Sequence, residues 1–186
     1  MFLKVLTICI FTLSCVCAKD PPQIILGNPD AKTEVVVYTA LTCSACALLH
    51  KTLKKYEKTR DFRIVIRHYA LDAQSLEAAV AVECALPDRK LEFYEEVFNR
   101  QNELFEKSDN LKGIFDKIAS DFKIPLDCSK TDNVKKEILE DQKLVENLVE
   151  ETPTFFIGPI DTPLEKRRKD VGALTPEEFN KFLRKP

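Results

Sequence analysis

The sequence is poor in metal ligands and has no large excess of charge of either sign. It contains two histidines, His50 and His68, and a single Cys-x-x-Cys motif, formed by Cys43 and Cys46. Because a tetrahedral zinc site needs four ligands, this leaves little material for a zinc enzyme. The chain has 28 Lys and Arg against 30 Asp and Glu, a net charge of -2, which argues against a nucleic-acid partner.

The chain also lacks an internal repeat, a low-complexity tract and an apolar run long enough to cross a bilayer. The apolar run at residues 5–16 is short, follows Lys4, and ends in the small-residue stretch Val16-Cys17-Ala18. This pattern is typical of a secretory signal peptide. We therefore predict that residues 1–18 are a signal peptide, cut after Ala18, and that the mature protein is exported.

Cysteine is the residue type that carries most information here. Of seven cysteines, three lie within residues 1–18, which leaves Cys43, Cys46, Cys84 and Cys128 in the mature chain. An even number in an exported protein suggests two pairs. If Cys84 and Cys128 are bridged, they close a loop of roughly 45 residues, which would stabilise the fold by on the order of 4 kcal/mol. We predict this structural disulfide, with two free thiols as the alternative.

The pattern of apolar residues predicts one α/β domain that is split by helices. A β-branched run at residues 35–38, a helix from Cys46 and a strand at residues 62–69 form a β-α-β unit with parallel strands. Strand character returns at residues 154–157, a charged hairpin is expected at residues 165–170, and a short helix follows from Thr175. Between these parts, helices are expected at residues 75–86, 88–102, 108–122 and 131–149.

These elements divide the mature chain into three parts. Residues 19–73 and 151–186 would form the two halves of one domain, and residues 74–150 a helical insertion.

The Cys43/Cys46 pair is placed for thiol-disulfide exchange. Cys43 would lie at the start of a helix, where unpaired N–H groups and the helix dipole lower the pKa of a thiol. Cys46, one turn further along, would be more buried. An exposed acidic thiol and a buried partner are what exchange requires. The alternatives are a soft-metal site that adds His50, half of a zinc site, and a structural disulfide whose short loop would stabilise little.

Pro153 stands where the strand of residues 154–157 begins, so its missing N–H does not disturb the sheet. A trans bond is the ordinary expectation for such a proline, because cis bonds are a small minority of X-Pro bonds in folded proteins.

Together these features resemble the DsbA-like branch of the thioredoxin superfamily over essentially the whole mature chain. The matching motifs, in order, are Leu26-Gly27-Asn28-Pro29-Asp30-Ala31, the strand at residues 35–38, Cys43-Ser44-Ala45-Cys46 with His50, the helical insertion, and Thr152-Pro153-Thr154-Phe155-Phe156 before Gly158.

The resemblance implies a thioredoxin fold, that is, a central mixed sheet with flanking helices, interrupted by a helical domain. Within that fold it makes Cys43 the nucleophile and Cys46 the resolving thiol. It also implies that Pro153 is cis and that Thr152 presents its backbone to an extended substrate segment. No small-molecule cofactor and no metal are implied. Some alphaproteobacterial members are similar to this chain in having a second cysteine pair.

Two departures from the family pattern concern acidity and proton transfer. Strongly oxidising members carry Pro-His between the cysteines, whereas this chain has Ser44-Ala45, so we expect Cys43 to be less acidic than theirs. Many members have an acidic residue six positions before the first cysteine, where this chain has Val37. His50 is the predicted substitute proton acceptor for Cys46, and the alternative is a structural histidine at the domain boundary.

The function predicted from these residues is a periplasmic oxidoreductase that introduces disulfides, and also reshuffles them, in exported proteins. Its predicted partners are reduced or unfolded exported polypeptides and a membrane reoxidant of the DsbB type. We expect a monomer, and an oxidase rather than an isomerase. The alternative function is a copper-binding protein that uses the same cysteines.

Overall fold

The computed structural model describes residues 20–106 and 110–184. The predicted signal peptide, residues 1–18, lies outside the described residues. Within the described ranges, no helix has the length and apolar character needed to cross a membrane.

A five-stranded mixed sheet forms the centre of the fold. Its strands are β1 (Gln23–Gly27), β2 (Thr33–Thr39), β3 (Arg63–His68), β4 (Thr154–Pro159) and β5 (Arg168–Val171), in the order β1-β3-β2-β4-β5. The neighbours β2 and β3 run parallel, and the other three pairs are antiparallel. The thioredoxin-type sheet and the parallel β-α-β unit predicted from the sequence are therefore confirmed.

The central strand β2 is buried on both faces because its side chains alternate between two apolar clusters. Val35 and Val37 enter the larger cluster, which also contains Cys46 and much of the helical core. Val36 and Tyr38 point to the other face, where they pack with Val145 and its neighbours. Since β2 ends at Thr39, this rigid strand fixes the start of the loop that leads to Cys43.

Seven α-helices lie in the described ranges. They are α1 (Ser44–Leu53), α2 (Ala73–Cys84), α3 (Lys90–Asn99), α4 (Gln101–Glu106), α5 (Leu111–Asp121), α6 (Thr131–Val145) and α7 (Pro176–Arg184). Five of them, α2 to α6, lie between β3 and β4, as the predicted insertion requires.

Two helices of the insertion differ from the sequence prediction. The single helix expected at residues 88–102 is two helices, because the backbone leaves helical geometry at Arg100, with φ -104° and ψ 18°. The helix expected at residues 131–149 ends at Val145.

The N-terminal segment and the charged segment near the C-terminus also differ from expectation. Strand β1, at residues 23–27, is not among the elements predicted from the sequence, and it pairs with β3. Gly27 ends β1 at φ +78°, where a Cβ would lie 2.6 Å from the Phe62 carbonyl oxygen. The charged stretch at residues 165–170 is split between a 3-10 turn, Leu164–Lys166, and strand β5.

A disulfide joins Cys84, the last residue of α2, to Cys128 in the loop before α6. The two cysteines are 44 positions apart in the chain, and their Cα atoms are 4.8 Å apart. Beside them, Asp127 donates its backbone N–H to the Cys84 carbonyl at 2.7 Å. The bridge therefore links the first and last helices of the insertion.

Candidate active site: a dithiol at a helix N-terminus

The nucleophile candidate, Cys43, is the N-cap residue of α1. Its backbone is extended, with φ -91° and ψ 117°, and its Sγ accepts a hydrogen bond from the Cys46 N–H at 3.2 Å. A side chain in this position satisfies one of the unpaired donors at a helix start, and serine or aspartate commonly does the same. Cys43 is half-buried and Cys46 is fully buried, and both are free thiols.

The two thiols have opposite electrostatic surroundings. A hydrogen bond from the Cys46 thiol is the main cause that lowers the pKa of Cys43 to about 6, with smaller contributions from Thr152 and from the backbone of Cys46 and Ala45. Burial of Cys43 opposes this shift. For Cys46, burial is the main cause that raises the pKa far above the usual range of a thiol, and its neighbour Cys43 adds to the shift.

The chain segment before β4 completes the site from a distant part of the sequence. The Thr152–Pro153 peptide bond is cis. In its thiol form, Cys43 donates a hydrogen bond from Sγ to the Thr152 carbonyl oxygen at 3.3 Å. The Pro153 carbonyl accepts the N–H of Gly172 at 2.8 Å, which ties this segment to the end of β5. The structure thus brings Cys43, Cys46, Thr152 and Pro153 together.

The Thr152 hydroxyl occupies a confined position beside the sulfurs. Its Oγ1 is buried, and the side chain lies close enough to Cys43 to help lower the pKa of that thiol.

His50 lies on α1, one turn after Cys46, and packs against α3. Its ring contacts those of Tyr94 and Phe98, with centroids 5.1 and 5.6 Å away, and its Nε2 lies 3.5 Å from Glu95 Oε1. Neither ring nitrogen has a hydrogen-bond partner within residues 20–106 and 110–184. Burial lowers the pKa of His50, while Glu95 opposes this effect, so the ring is neutral at neutral pH.

Three residues near the site were not foreseen from the sequence. Glu95 and Tyr94 of α3 face His50, and Gln101 of α4 donates its side-chain N–H to the Leu41 carbonyl at 2.7 Å. An amide or an acid on an amphipathic helix has no sequence signature that separates it from a solvent-exposed one. Only the packing of the insertion onto the loop before Cys43 reveals these contacts.

No group of three or more His, Cys, Asp or Glu side chains in the described ranges is arranged to hold a metal ion. The geometry therefore lends no support to the copper-binding alternative, which would have used Cys43, Cys46 and His50.

Comparison with known sequences finds a matching family model and similar proteins. A family model described as "Thioredoxin" matches residues 19–185. A protein of Rickettsia felis named "Putative protein-disulfide oxidoreductase" is 24% identical over 154 residues, which is 77% of this chain and 55% of that protein. A Rickettsia bellii protein of the same name is 24% identical over 160 residues, 77% of this chain and 60% of that protein. The chain thus spans little more than half the length of these relatives.

The chain is also similar to solved structures. A crystal structure of a variant of alpha-DsbA1 from Wolbachia pipientis is 25% identical, with a TM-score of 0.75. The match covers 89% of this chain and 90% of that one, so the sheet and the helical insertion are both shared.

Proposed function

Because the chain belongs to the thioredoxin family, and within it to the DsbA-like proteins, we propose that it is a protein-disulfide oxidoreductase that donates the Cys43–Cys46 disulfide to reduced polypeptides. The observation that carries this proposal is the contrast between the two thiols. Cys43 is half-buried with a pKa of about 6, and Cys46 is buried and held protonated. Because of that contrast, the Cys43 sulfur leaves readily as a thiolate, while the Cys46 sulfur stays buried away from solvent.

The proposed reaction starts from the oxidised pair. A thiolate of the substrate attacks Cys43 Sγ, and a mixed disulfide with the substrate forms. The Cys43–Cys46 bond breaks, and the departing Cys46 sulfur takes up a proton to become a thiol. A second substrate thiolate then attacks the substrate sulfur of that mixed disulfide, and Cys43 leaves as a thiolate. The substrate loses two electrons and gains a disulfide, and the enzyme is left as a dithiol. The low pKa of Cys43 favours this direction, because it stabilises the leaving thiolate.

Thr152 and Pro153 would orient the substrate in this reaction. The Thr152 carbonyl already contacts Cys43, so an extended substrate segment that pairs with the Thr152 backbone would bring its own sulfur to Sγ. In the reduced state that carbonyl accepts a hydrogen bond from the Cys43 thiol.

His50 is proposed as the proton acceptor for Cys46. When Cys46 attacks a mixed disulfide, its thiol must lose a proton in a site that disfavours the thiolate. A neutral, buried imidazole whose nitrogens have no hydrogen-bond partner among the described residues is suited to receive that proton. Glu95 Oε1, 3.5 Å from Nε2, would stabilise the resulting imidazolium.

The test is oxidative refolding of a reduced, unfolded model protein by the oxidised mature chain. We expect disulfides to form at the expense of the Cys43–Cys46 bond. Cys43→Ser should abolish the reaction, as should Cys46→Ser, because neither variant can form the Cys43–Cys46 disulfide that is donated. Cys84→Ser/Cys128→Ser, the matched control, should retain activity because it leaves the Cys43/Cys46 site untouched. If wild type and Cys43→Ser refolded the client equally, the proposal would be wrong.

We further propose that the protein acts as an exported monomer in the periplasm and is reoxidised by a membrane partner of the DsbB type. The sequence of residues 1–18 and the paired cysteines of the mature chain support export. Mass spectrometry of the periplasmic fraction of an expressing bacterium should find a chain that begins at Lys19. A full-length chain that stays in the cytoplasm would contradict this proposal.

A further inference from the structure

The loop that carries the nucleophile is short and buried. Residues 40–43 connect the end of β2 to the start of α1, and Cys43 donates its backbone N–H to the Ala40 carbonyl at 3.1 Å. Leu41, at the centre of this turn, is 1% exposed. Its carbonyl needs a partner from the protein, because a buried carbonyl without one is costly.

Gln101 supplies that partner from the helical insertion. Its Nε2 donates a hydrogen bond of 2.7 Å to the Leu41 carbonyl, across 60 positions of sequence, and the side chain is itself buried. A second bond from the insertion holds the beginning of the same loop, since Tyr94 Oη and Thr39 Oγ1 share a buried hydrogen bond of 3.0 Å. The insertion therefore forms hydrogen bonds to two residues just before Cys43, Thr39 and Leu41.

We propose that Gln101 is a positioning residue for the nucleophile, which holds the Leu41 carbonyl and thereby keeps Cys43 Sγ within reach of the Cys46 N–H and the Thr152 carbonyl. This inference rests on the proposed function of Cys43. Gln101 touches neither sulfur, so it acts only through the loop.

The geometry at Cys43 explains why a small shift of the loop matters. Sγ accepts from the Cys46 N–H at 3.2 Å and, as a thiol, donates to the Thr152 carbonyl at 3.3 Å. A displacement of about 1 Å would take these contacts out of hydrogen-bond range. Without the Gln101 amide, the Leu41 carbonyl would have to rotate toward another donor. Because Cys43 is only two residues away along the same turn, this rotation would move its Sγ.

The test compares the acidity of Cys43 in wild type and in Gln101→Met, which keeps the length of the side chain but lacks the donor. The rate of Cys43 alkylation by iodoacetamide is measured against pH in the reduced protein, with the modified peptide identified by mass spectrometry. We expect the midpoint of the profile to rise by about 0.5 to 1 unit, as the loss of one hydrogen bond would cause.

Two controls separate positioning from a general loss of stability. Asn102→Met changes the neighbouring amide, which is exposed, and should leave the midpoint where it is in wild type. Ile138→Val weakens packing in the insertion at a buried residue outside the loop contacts, and should lower the melting temperature without moving the midpoint. An Ile138→Val shift as large as that of Gln101→Met would overturn the proposal, as would an unchanged midpoint in Gln101→Met.

A second variant covers the case in which Gln101→Met does not fold. Gln101→Asn keeps an amide but shortens the side chain by one methylene, so it no longer reaches the Leu41 carbonyl. Its midpoint should also rise, and an unchanged midpoint would overturn the proposal.

The same data distinguish this inference from the proposed function. A wild-type midpoint near that of an ordinary thiol would contradict both. A wild-type midpoint near 6 that does not move in either Gln101 variant would contradict the positioning role alone.

Discussion

The two sulfurs of the Cys43/Cys46 pair differ in environment more than their separation of one helical turn suggests. Cys43 gains hydrogen bonds that stabilise its thiolate, and Cys46 is fully buried. The pKa of about 6 lies between about 3.5 for the strongest oxidants of this kind and about 7 for thioredoxin. At the scale of single residues, this places the disulfide between a strong oxidant and a reductant.

The first prediction concerns the pH dependence of these thiols. Because the folded pKa of Cys43 is below its ordinary value of 9.0, the alkylation rate of Cys43 should rise as the pH passes through about 6 and level off well below pH 9. The reduced protein should also gain stability as the pH rises from about 6 to 9, and lose it as the pH falls through 6. Cys46 should remain unmodified throughout. Alkylation followed by peptide mapping checks the statements about Cys43 and Cys46, and denaturant titration at several pH values checks the stability. A Cys43 midpoint near 9 would contradict the first statement.

A second prediction concerns Thr152. Its side chain contributes to the lowered pKa of Cys43, and Thr152→Val keeps the shape while removing the hydroxyl. The pKa of Cys43 should therefore rise by a fraction of a unit, which the ultraviolet absorbance of the thiolate would measure. Thr154→Val is the matched control, because the Thr154 hydroxyl bonds to the Glu151 carbonyl instead. Equal shifts in the two variants would show that the Thr152 hydroxyl has no particular effect.

Some of these residues were predictable from the sequence and others were not, for physical reasons. An acidic Cys43 follows from its place at a helix start, a local property. The environment of His50 depends on how α3 packs on α1, and the bond from Gln101 joins parts of the chain that are 60 positions apart. Such contacts are properties of the folded chain, and one sequence does not encode them in a local pattern.

At the scale of elements, a buried ion cluster joins β2 to β3 and to the segment before β5. The Glu34 carboxylate forms salt bridges with Arg63 and Arg167, each at 2.7 Å. The side chains of Glu34 and Arg167 are only 9% and 4% exposed. Removing one member would leave buried charges without a partner. This cluster therefore holds together β2, β3 and the segment before β5.

The third prediction is that Glu34→Ala lowers the free energy of unfolding by about 3 to 5 kcal/mol, the range for breaking a buried ion pair. Urea denaturation would measure it. The control is Glu140→Ala, which removes an exposed ion pair with Lys136 and should cost less than about 1 kcal/mol. A loss in Glu34→Ala no larger than in the control would contradict the structural role of the cluster.

Elements were predictable where their pattern was strong. The run of valines in β2 identified the central strand because it is apolar on both faces. The sequence does not predict β1 because its five residues follow two prolines and end in Gly27, and those residue types indicate a turn. The break at Arg100 was missed because neither proline nor glycine marks it in the sequence.

At the scale of the whole molecule, the insertion is closed by the Cys84–Cys128 bridge. The fourth prediction is that Cys84→Ser/Cys128→Ser loses about 2 to 4 kcal/mol of stability, because the bridge no longer restricts the unfolded chain. Denaturant titration under oxidising conditions measures this loss. Wild type and variant should become similar in stability once a strong reductant opens the bridge, and a difference that persists would assign the effect to the substitutions themselves.

The split α/β architecture was predictable because the order of its elements is itself informative, whereas the thioredoxin-type sheet was predicted from the family resemblance. A β-α-β unit, a block of helices and a return to strands leave few arrangements of one sheet. The position of the insertion over the active-site loop was not predictable, since it depends on side-chain contacts such as those of Tyr94 and Gln101.

The most direct test of the central claim is the reduction potential of the Cys43/Cys46 pair. The mature protein is equilibrated with glutathione buffers, trapped by alkylation, and analysed by mass spectrometry for each cysteine. The structure predicts that Cys43 and Cys46 titrate together, at a potential between about -120 mV for a strong disulfide donor and about -270 mV for thioredoxin. A potential at or below the thioredoxin value, or a pair that never forms a disulfide, would contradict the proposal that this chain donates disulfides.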